Sequence, residues 1–448
     1  MLKVIIKKLI PKSLLLFYHK ILAMAANIIY RFPSRRMIVI GVTGTKGKSS
    51  TVVMITRILE EAGLKVGSTN TVFFKIAGKE WPNTVKQGML GRFKLQKMLR
   101  QMVKAGCTHA VIEVTSEGIV QSRQWGIAFD VAVFTNLSPE HIEAHGSYEK
   151  YREAKGLIFK NLFASYRKTP SPALPLGKGE RAKKVIIVNR MDEEADYFLK
   201  FKADEKWGVC DSCETTQDNG KEKNLCADSV NLTPQAVGFT VQGQLIHLPL
   251  PGQFMMTNAL LAMAAGLSLG ISLTTCKEAL EKISLIPGRL EFVEAGQDFK
   301  VIVDYAHEPR SFAAILSTGR ELAQNHKLIV VFGVTGGGRD KAKRPKMGEI
   351  ASQYADYIIL TTDDPYNDDP KQLIADIMPG IKGKNWVENA NWWPVVKRRD
   401  AISQALSMAR TGDVVLLLGK GSEQVMVVAG GKTIPWNDAQ VVRELLKK

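Results

Sequence analysis

The sequence has few cysteines and no long uncharged apolar run. Five cysteines in 448 residues are too few for a disulfide framework, so we expect a protein of the reducing cytoplasm. Cys210 and Cys213 form a CxxC pair with Cys226 beyond it, but no second pair and no histidine at ligand spacing accompany them, which argues against a metal or redox site. No stretch approaches the roughly 20 uncharged residues of a membrane-spanning helix, and no signal-peptide cleavage pattern stands out.

Acidic residues are absent from the first 36 residues, which hold eight Lys and Arg. The formal net charge of the chain is +17, so the other 412 residues carry only +9. The basic segment is also apolar, and we expect a helix that packs on the following domain or, as the alternative, lies on an anionic membrane surface. Because the positive charge lacks interleaved aromatic residues and a reading motif, nucleic-acid binding is not favoured.

The stretch 41–50, with the sequence Gly-Val-Thr-Gly-Thr-Lys-Gly-Lys-Ser-Ser, is the most informative part of the chain. It follows a short β-branched run and precedes residues with helical apolar spacing. A strand, a glycine turn and a helix predict a phosphate-binding loop, because loop N–H groups and the helix N-terminus converge on an anion. The spacing differs from GxxxxGK[ST], since Val42 stands five residues before Gly47. Lys48 is expected to reach the outer phosphates and Ser49 to bind Mg²⁺.

Apolar strands alternate with helical stretches along most of the chain, which predicts an α/β fold. Pro and Gly enrichment predicts a low-complexity surface insertion at 169–183. We predict three parts: a basic N-terminal helical segment over 1–36, a doubly wound P-loop domain over 37–286, and a C-terminal Rossmann-like α/β domain over 287–448.

Strands are expected at eight places: 37–42, 65–69, 109–114, 130–136, 301–303, 328–332, 357–360 and 414–418. The third of these carries Glu113 near its end, where a carboxylate would meet Mg²⁺ at the carboxyl edge of the sheet. The last four are each followed by a polar or glycine-rich turn, and turns positioned by a rigid sheet are where function concentrates.

Six ordered motifs resemble those of the Mur ligases, and among these the branch that adds the third amino acid to the peptidoglycan stem peptide. The motifs are the Gly-Thr-Lys-Gly-Lys-Ser loop and residues 113–116, 135–141, 304–307, 336–340 and 419–423. The resemblance implies an ATP-dependent amide ligase. ATP would phosphorylate the terminal carboxylate of UDP-N-acetylmuramoyl-L-alanyl-D-glutamate, and the amine of an amino acid would displace phosphate from the acyl phosphate. Such phosphoryl transfer requires mainly positioning and charge neutralisation.

The resemblance also implies roles for individual residues. The catalytic set would be Lys48, Glu113, His141 and Lys155. The Mg²⁺ ligands would be Ser49, Glu113, His141 and Lys155, the last as a carbamate. The ATP-binding set would be Gly44, Thr45, Lys46, Gly47, Lys48, Ser49, Ser50, Asn258, Arg289 and Asp304. The substrate-binding set would be Thr115, Gln121, Arg123, Arg339, Asp363, Asp364, Pro365, Tyr366, Gly419 and Glu423.

Three departures from the family pattern keep alternatives open. Only 36 residues precede the ATP domain, where the family has a uridine-binding domain of about a hundred, so an altered or lipid-linked acceptor is an alternative. Tyr366 stands where diaminopimelate-adding enzymes have an arginine that grips the distal carboxylate, so L-lysine or another diamine is an alternative to diaminopimelate. Lys46 stands where Asn is usual, and Gly-Thr-Lys-Gly-Lys also occurs in folylpolyglutamate synthases, which makes them the enzymatic alternative. A non-catalytic ATP-binding scaffold is the remaining one, and a monomer is expected.

Overall fold

The computed structural model describes residues 12–139, 146–169, 180–212, 222–233, 235–338, 341–383 and 385–447. Cys213 and most of the predicted insertion at 169–183 lie outside these ranges. The chain divides into two compact units, one made of Met1–Asn83 and Gln87–Ser284, the other of Thr84–Lys86 and Leu285–Lys448. Among the helices in the described ranges, none combines the length and the apolar character that crossing a bilayer requires.

The first unit is organised around one sheet of nine described strands. These are β1 (Ile38–Thr43), β2 (Val66–Thr69), β3 (Phe73–Ile76), β4 (Lys79–Pro82), β5 (His109–Glu113), β6 (Val131–Phe134), β7 (Val185–Asn189), β8 (Glu205–Cys210) and β9 (Lys223–Cys226). They lie in the order β4-β3-β2-β5-β1-β6-β7-β8-β9. All neighbours pair in parallel except β2 with β3 and β3 with β4.

Strand β1 lies at the point where the order of strands in the sheet reverses. Its neighbours are β5 on one side and β6 on the other, although both follow β2 in the chain. Open α/β sheets bind ligands in the crevice that such a crossover leaves at the carboxyl ends of the strands. The loops after β1, β5 and β6 are therefore the ones that meet there.

The helices of the first unit fill the connections between its strands. They are α1 (Lys12–Ile29), α2 (Lys48–Glu61), α3 (Arg92–Lys104), α4 (Ser116–Val120), α5 (Tyr148–Leu162), α6 (Ala195–Leu199), α7 (Gln253–Ser268) and α8 (Leu273–Glu281), with a 3₁₀ turn at Pro33–Arg36. Helix α7 is buried along nearly its whole length and packs on α2, which fits its apolar sequence on all sides. A separate antiparallel meander consists of β10 (Asp228–Leu232), β11 (Val237–Val241) and β12 (Gln244–Leu248).

The second unit contains a six-stranded sheet in the order β13-β14-β18-β15-β16-β17. Its strands are β13 (Glu291–Phe292), β14 (Lys300–Asp304), β15 (Leu328–Phe332), β16 (Tyr357–Leu360), β17 (Trp392–Pro394) and β18 (Val414–Leu418), all parallel except β13. A two-stranded ribbon of β19 (Val425–Val427) and β20 (Thr433–Pro435) follows. The helices are α9 (Pro309–Ala323), α10 (Lys343–Tyr354), α11 (Pro370–Ala375), α12 (Arg398–Met408) and α13 (Asp438–Leu446), with 3₁₀ turns at Met378–Gly380 and Ala429–Gly431.

Two hydrophobic cores lie on the two faces of the second sheet. Val330 and Phe332 of β15 face one core, whereas Ile329 and Val331 face the other. Because successive side chains of a strand point to opposite faces, a strand buried on both faces is apolar at every position. The predicted α/β class is confirmed, and all eight predicted strands are present with bounds shifted by a few residues.

Candidate active site

Two glycines of the loop after β1 adopt backbone conformations that other amino acids rarely adopt. Gly44 has a φ of 150° and Gly47 a φ of 77°. A Cβ at Gly47 would lie 2.3 Å from Asn258 Oδ1, and one at Gly44 would lie 1.9 Å from Thr135 Oγ1. The loop is therefore closed to side chains at both positions. It ends directly on α2, whose first residue is Lys48.

The end of β6 holds this loop in place. The N–H of Thr45 donates to the Asn136 carbonyl at 2.7 Å, and the N–H of Lys46 donates to Asn136 Oδ1 at 2.9 Å. The Thr135 hydroxyl donates to the Lys46 carbonyl at 2.6 Å. Thr135 and Asn136 belong to one of the motifs noted in the sequence but were assigned no role, because spacing alone does not show which strand lies beside β1.

The predicted Mg²⁺ carboxylate lies against the start of α2. The Ser49 hydroxyl donates to Glu113 Oε2 at 2.8 Å. The N–H and hydroxyl of Thr71 donate to the same oxygen at 2.9 and 3.0 Å. Glu113 is only 3% exposed. A hydroxyl and a carboxylate beside a glycine-rich loop are the oxygen donors that Mg²⁺ prefers, so these residues fit a Mg²⁺–nucleotide. Nothing in the sequence singled out Thr71.

Lys155 of α5 reaches the phosphate loop from another direction. Its side chain is buried, and its ammonium donates to the Gly44 carbonyl at 2.6 Å. The ammonium also lies 4.5 Å from the ring centroid of Tyr151, whose hydroxyl is 3.2 Å from Thr45 Oγ1. Helix α5 is capped by Ser147, whose side chain accepts from the Lys150 N–H and so fixes the helix start. The lysine is thus placed at the loop and not in solvent.

The remaining loop residues have simpler surroundings. Lys48 Nζ donates to the Thr45 carbonyl at 2.7 Å, so its side chain folds back over the loop. Asn258 is buried on α7 and accepts from the Thr51 hydroxyl at 3.2 Å. Ser50 is buried in the first turn of α2. The structure therefore brings the predicted phosphate-loop residues and Asn258 together.

Three predicted substrate residues flank α4: Thr115 precedes the helix, and Gln121 and Arg123 follow it. Thr115 caps this helix by accepting from the Gly118 N–H at 3.1 Å. Arg123 Nη2 donates to Gln121 Oε1 at 2.9 Å, and its Nη1 donates to the Met89 carbonyl at 2.6 Å. Gln121 and Arg123 therefore form one polar pair. His141 and Arg339, also predicted from the resemblance, lie outside the described residues.

In the second unit, three carboxylates gather where β16 and β18 end. We call Asp363, Asp364 and Glu423 the acidic cluster, since one oxygen of each lies within 4.8 Å of the others. The fully buried Lys420 ammonium donates to Asp364 at 2.9 Å and to Glu423 at 2.6 Å. Lys86 also pairs with Asp364, and its Nζ lies 2.7 Å from Glu423 Oε2. Because two ammonium groups already pair with these carboxylates, we assign no metal ion to them.

The lysines and carboxylates of this cluster shift one another's protonation. Burial opposes the charge on Lys420, but Asp363, Glu423 and Asp364 outweigh burial and raise its pKa. Burial also opposes charge on Asp364, yet Lys420 and Lys86 lower the pKa of that carboxyl. Burial raises the pKa of Glu423, although Lys420 and Lys86 oppose that shift. Neither lysine was assigned a role from the sequence: Lys420 was only part of a quoted motif, and Lys86 has no signature.

Other predicted residues of the second unit surround this cluster or follow β14. Gly419 has a φ of 104°, and a Cβ there would lie 3.0 Å from Asp363 Oδ2. Tyr366, which follows Pro365, has a φ of 52° and packs against Gly337. Asp304 ends β14 and accepts from the Leu290 and Ala306 N–H groups, both at 2.8 Å. The Arg289 guanidinium lies 4.5 Å from the Tyr305 ring centroid.

The two units thus define a phosphate-loop α/β protein with a second α/β domain whose strand ends carry buried charges. Residues 42–266 match the Mur ligase middle domain, and residues 288–421 match the Mur ligase, glutamate ligase domain. These matches span more than half of the chain. The chain belongs to the Mur ligase family, whose members are ATP-dependent ligases, and it is a ligase of peptidoglycan precursor synthesis.

Two relatives show how similar the chain is to other members. It is 36% identical to a UDP-N-acetylmuramoyl-L-alanyl-D-glutamate–2,6-diaminopimelate ligase of Geobacillus thermodenitrificans, over 95% of this chain and 82% of the relative. It is 37% identical to a UDP-N-acetylmuramyl-tripeptide synthetase of a Roseiflexus species, over 95% of this chain and 81% of the relative.

Solved structures agree on the fold. The structure of a UDP-N-acetylmuramoyl-L-alanyl-D-glutamate–2,6-diaminopimelate ligase matches with a TM-score of 0.57 and 28% identity, covering 92% of this chain and 78% of that one. Folylpolyglutamate synthase of Mycobacterium tuberculosis matches with a TM-score of 0.65 and 17% identity, covering 95% of both chains. At that identity the second likeness shows the shared fold alone.

Proposed function

We propose that the chain joins a diamino acid to UDP-N-acetylmuramoyl-L-alanyl-D-glutamate through an acyl phosphate. The observation that carries this proposal is the phosphate loop bound to Glu113 through Ser49. The names of the relatives in Geobacillus and Roseiflexus support the choice of acceptor. We also propose that the reaction takes place in the cytoplasm, where ATP is supplied.

The loop residues bind ATP and neutralise its charge. The N–H groups of the loop and of the first turn of α2 cradle the phosphates, because Gly44 and Gly47 leave no side chain in the way. Lys48 places its ammonium on the outer phosphates, next to which Ser49 and Glu113 hold Mg²⁺. When bound, the ion withdraws charge from the phosphate oxygens. His141 is proposed as a further ligand by its position in the sequence motif.

Lys155 is proposed to act as a carbamate. Its buried side chain reaches the Gly44 carbonyl of the phosphate loop. A carbamate at the same position would add an anionic oxygen donor beside the phosphate loop, and so would complete a second Mg²⁺ site. Tyr151 and the start of α5 would fix the direction of this side chain.

The acceptor and the second substrate are proposed to bind to different sets of residues. Thr115, Gln121 and Arg123 hold the muramoyl-peptide, because the buried Arg123 and its amide partner can recognise a carboxylate. Asn258 is proposed to bind the nucleotide at the phosphate loop, and Arg289 and Asp304 are proposed as nucleotide-binding residues from the sequence resemblance alone. The amino acid binds to Arg339, Gly419 and the acidic cluster, together with Pro365 and Tyr366.

The acidic cluster favours an amino acid that carries a second amine. It already accommodates the primary ammonium of Lys86, which pairs with Asp364 and Glu423. Tyr366 offers no guanidinium to a distal carboxylate, and the acidic cluster holds three carboxylates against two lysines, which favours a further amine. We therefore propose L-lysine as the preferred substrate over meso-diaminopimelate.

Phosphate release from ATP tests this function. The purified chain is incubated with Mg²⁺, ATP, the muramoyl-dipeptide and one amino acid at a time, including L-lysine, L-ornithine, meso-diaminopimelate and L-alanine. Release that requires the acceptor and is fastest with L-lysine supports the proposal. Faster release with diaminopimelate would overturn the amino-acid assignment alone. Phosphate release with tetrahydrofolate and glutamate in place of the muramoyl-dipeptide and amino acid would overturn the proposed acceptor. The absence of release with every combination would also overturn it.

A further inference from the structure

The outward face of helix α1 is a continuous row of large apolar side chains. Five of them recur at intervals of three and four residues, which places them on one side of the helix. Their exposed fractions range from 46% to 61%. We call these residues the outer stripe: Leu14, Phe17, Ile21, Met24 and Ile28. Of the twenty large hydrophobic side chains that the described part of the chain exposes, eight lie on this helix. Such concentration marks an interaction surface, since scattered single residues would need no explanation.

The opposite face of α1 fixes the direction in which the outer stripe points. Ala23, Ala26 and Asn27 are buried there, and α1 packs against α3. The Asn27 side chain donates to the Ala23 carbonyl at 2.8 Å and to the Trp125 carbonyl at 2.9 Å. Helix α1 therefore packs on its own unit through one face. The outer stripe lies on the other face and is not part of the hydrophobic core of the unit.

Positive charge accompanies the apolar face. Lys20 on α1 is exposed, and so are Arg31, Arg35 and Arg36 immediately after it. The first 36 residues contain eight Lys and Arg and no acidic residue. An apolar face with basic residues around it matches the interface of an anionic bilayer, where apolar side chains enter the acyl boundary and ammonium or guanidinium groups meet phosphates.

We propose that the outer stripe lies on the surface of a membrane that contains anionic phospholipids. The helix lies along the surface, since no helix of the described residues is long and apolar enough to cross a bilayer. A second copy of the chain fits less well, although the spacing of the stripe resembles a helix seam. Stripe-to-stripe packing would bring the basic residues of two copies together, and this segment has no carboxylate to pair with them.

Vesicle flotation of the full chain tests the proposal. The variant is Phe17→Glu on the outer stripe, and the matched control is Leu245→Glu on β12, because both side chains are 61% exposed. Vesicles contain either phosphatidylglycerol mixed with phosphatidylcholine or phosphatidylcholine alone. We expect the unaltered chain to float only with the anionic vesicles and less at 0.5 M salt. Phe17→Glu should lower the partition coefficient at least about tenfold, and Leu245→Glu less than about twofold.

Other outcomes would overturn the proposal. The absence of flotation with anionic vesicles would do so, as would equal flotation with neutral ones. An equal loss in both variants would show that the stripe is not the contact. A dimer in light scattering without vesicles, which Phe17→Glu converts to a monomer, would assign the stripe to a second copy. Thermal melting of both variants checks that they are folded.

Discussion

Replacing Glu113 by Gln separates the proposed role of this carboxylate in Mg²⁺ binding from its role in the fold. Glutamine has the same size and can place its oxygen at the Oε2 position, where Ser49 and the Thr71 N–H donate. Its NH₂ group would then face the Thr71 hydroxyl, which can accept. Each buried hydrogen bond of Glu113 therefore has a counterpart in the variant, and only the negative charge is lost.

The expected magnitudes follow from this exchange. A hydrogen bond to a charged acceptor becomes one to a neutral acceptor, so the free energy of unfolding should fall by only about 1 kcal/mol. The turnover number should fall about 10²–10³-fold, because a charge that acts in the transition state is removed. The Mg²⁺ concentration for half-maximal phosphate release should rise.

Phosphate release and chemical denaturation measure the two effects side by side. The control is Glu205→Gln on β8, another largely buried carboxylate with lysine and tryptophan donors, which should leave turnover unchanged. If Ser49 and Glu113 act together, the double variant Ser49→Ala/Glu113→Gln should reduce turnover by a smaller factor than the product of the two single reductions. Unchanged turnover and Mg²⁺ dependence in a folded Glu113→Gln protein would refute the assignment.

Three further variants test other parts of the site. Lys48→Ala should abolish acyl-phosphate formation, and ligation at the unaltered rate would contradict the phosphate-loop assignment. Lys155→Ala should lose activity that an added short carboxylate partly restores, whereas full activity without the additive would exclude Lys155 as a metal ligand. Lys420→Met leaves the buried acidic cluster with Lys86 alone, so the free energy of unfolding should fall by about 3–5 kcal/mol at neutral pH. Chemical denaturation at pH 7 and pH 5 measures this fall in the free energy of unfolding. The fall should be smaller at pH 5, because the carboxylates of the acidic cluster protonate more readily there.

The sequence predicted the strands well for a physical reason. Strands β1, β5, β15 and β18 are buried at every position, so β15 and β18 are wholly apolar and β1 and β5 have continuous apolar runs in their interiors. The phosphate loop was also predictable, because the backbone at Gly44 and Gly47 tolerates no side chain. Helix α2 begins inside the motif, since Lys48 and Ser49 lie in its first turn.

Other features depend on contacts between distant parts of the chain. The strand order that places β1 between β5 and β6 has no signature in the sequence, and neither has the pairing of Thr135 and Asn136 with the phosphate loop. Lys86 lies 278 residues from its partner Asp364. Charge pairs at such separations are set by the packing of strands and loops, so single-sequence patterns cannot assign them.

A buried group of two lysines and one aspartate beside the start of β6 offers a test by pH. Lys168 and Lys184 both pair with Asp130, and all three side chains are at most 1% exposed. Asp130 also accepts from the Val39 N–H at 2.8 Å. One carboxylate cannot neutralise two ammonium groups, and burial lowers the pKa of Lys168 from 10.5 to about 8.

This lowered pKa makes the protonated Lys168 a cost to folding. Between pH 8 and 10.5 the unfolded chain binds a proton at Lys168 that the folded chain does not, so this residue makes the free energy of unfolding rise with pH. The full effect is about 3 kcal/mol across that window. Lys168→Met should remove this pH dependence. From pH 7.5 to pH 10, the free energy of unfolding of the unaltered chain should therefore rise relative to that of the variant. Parallel curves across this range would contradict the lowered pKa. Lys184 shares Asp130 with Lys168, so its own titration also changes in the variant and contributes to the difference.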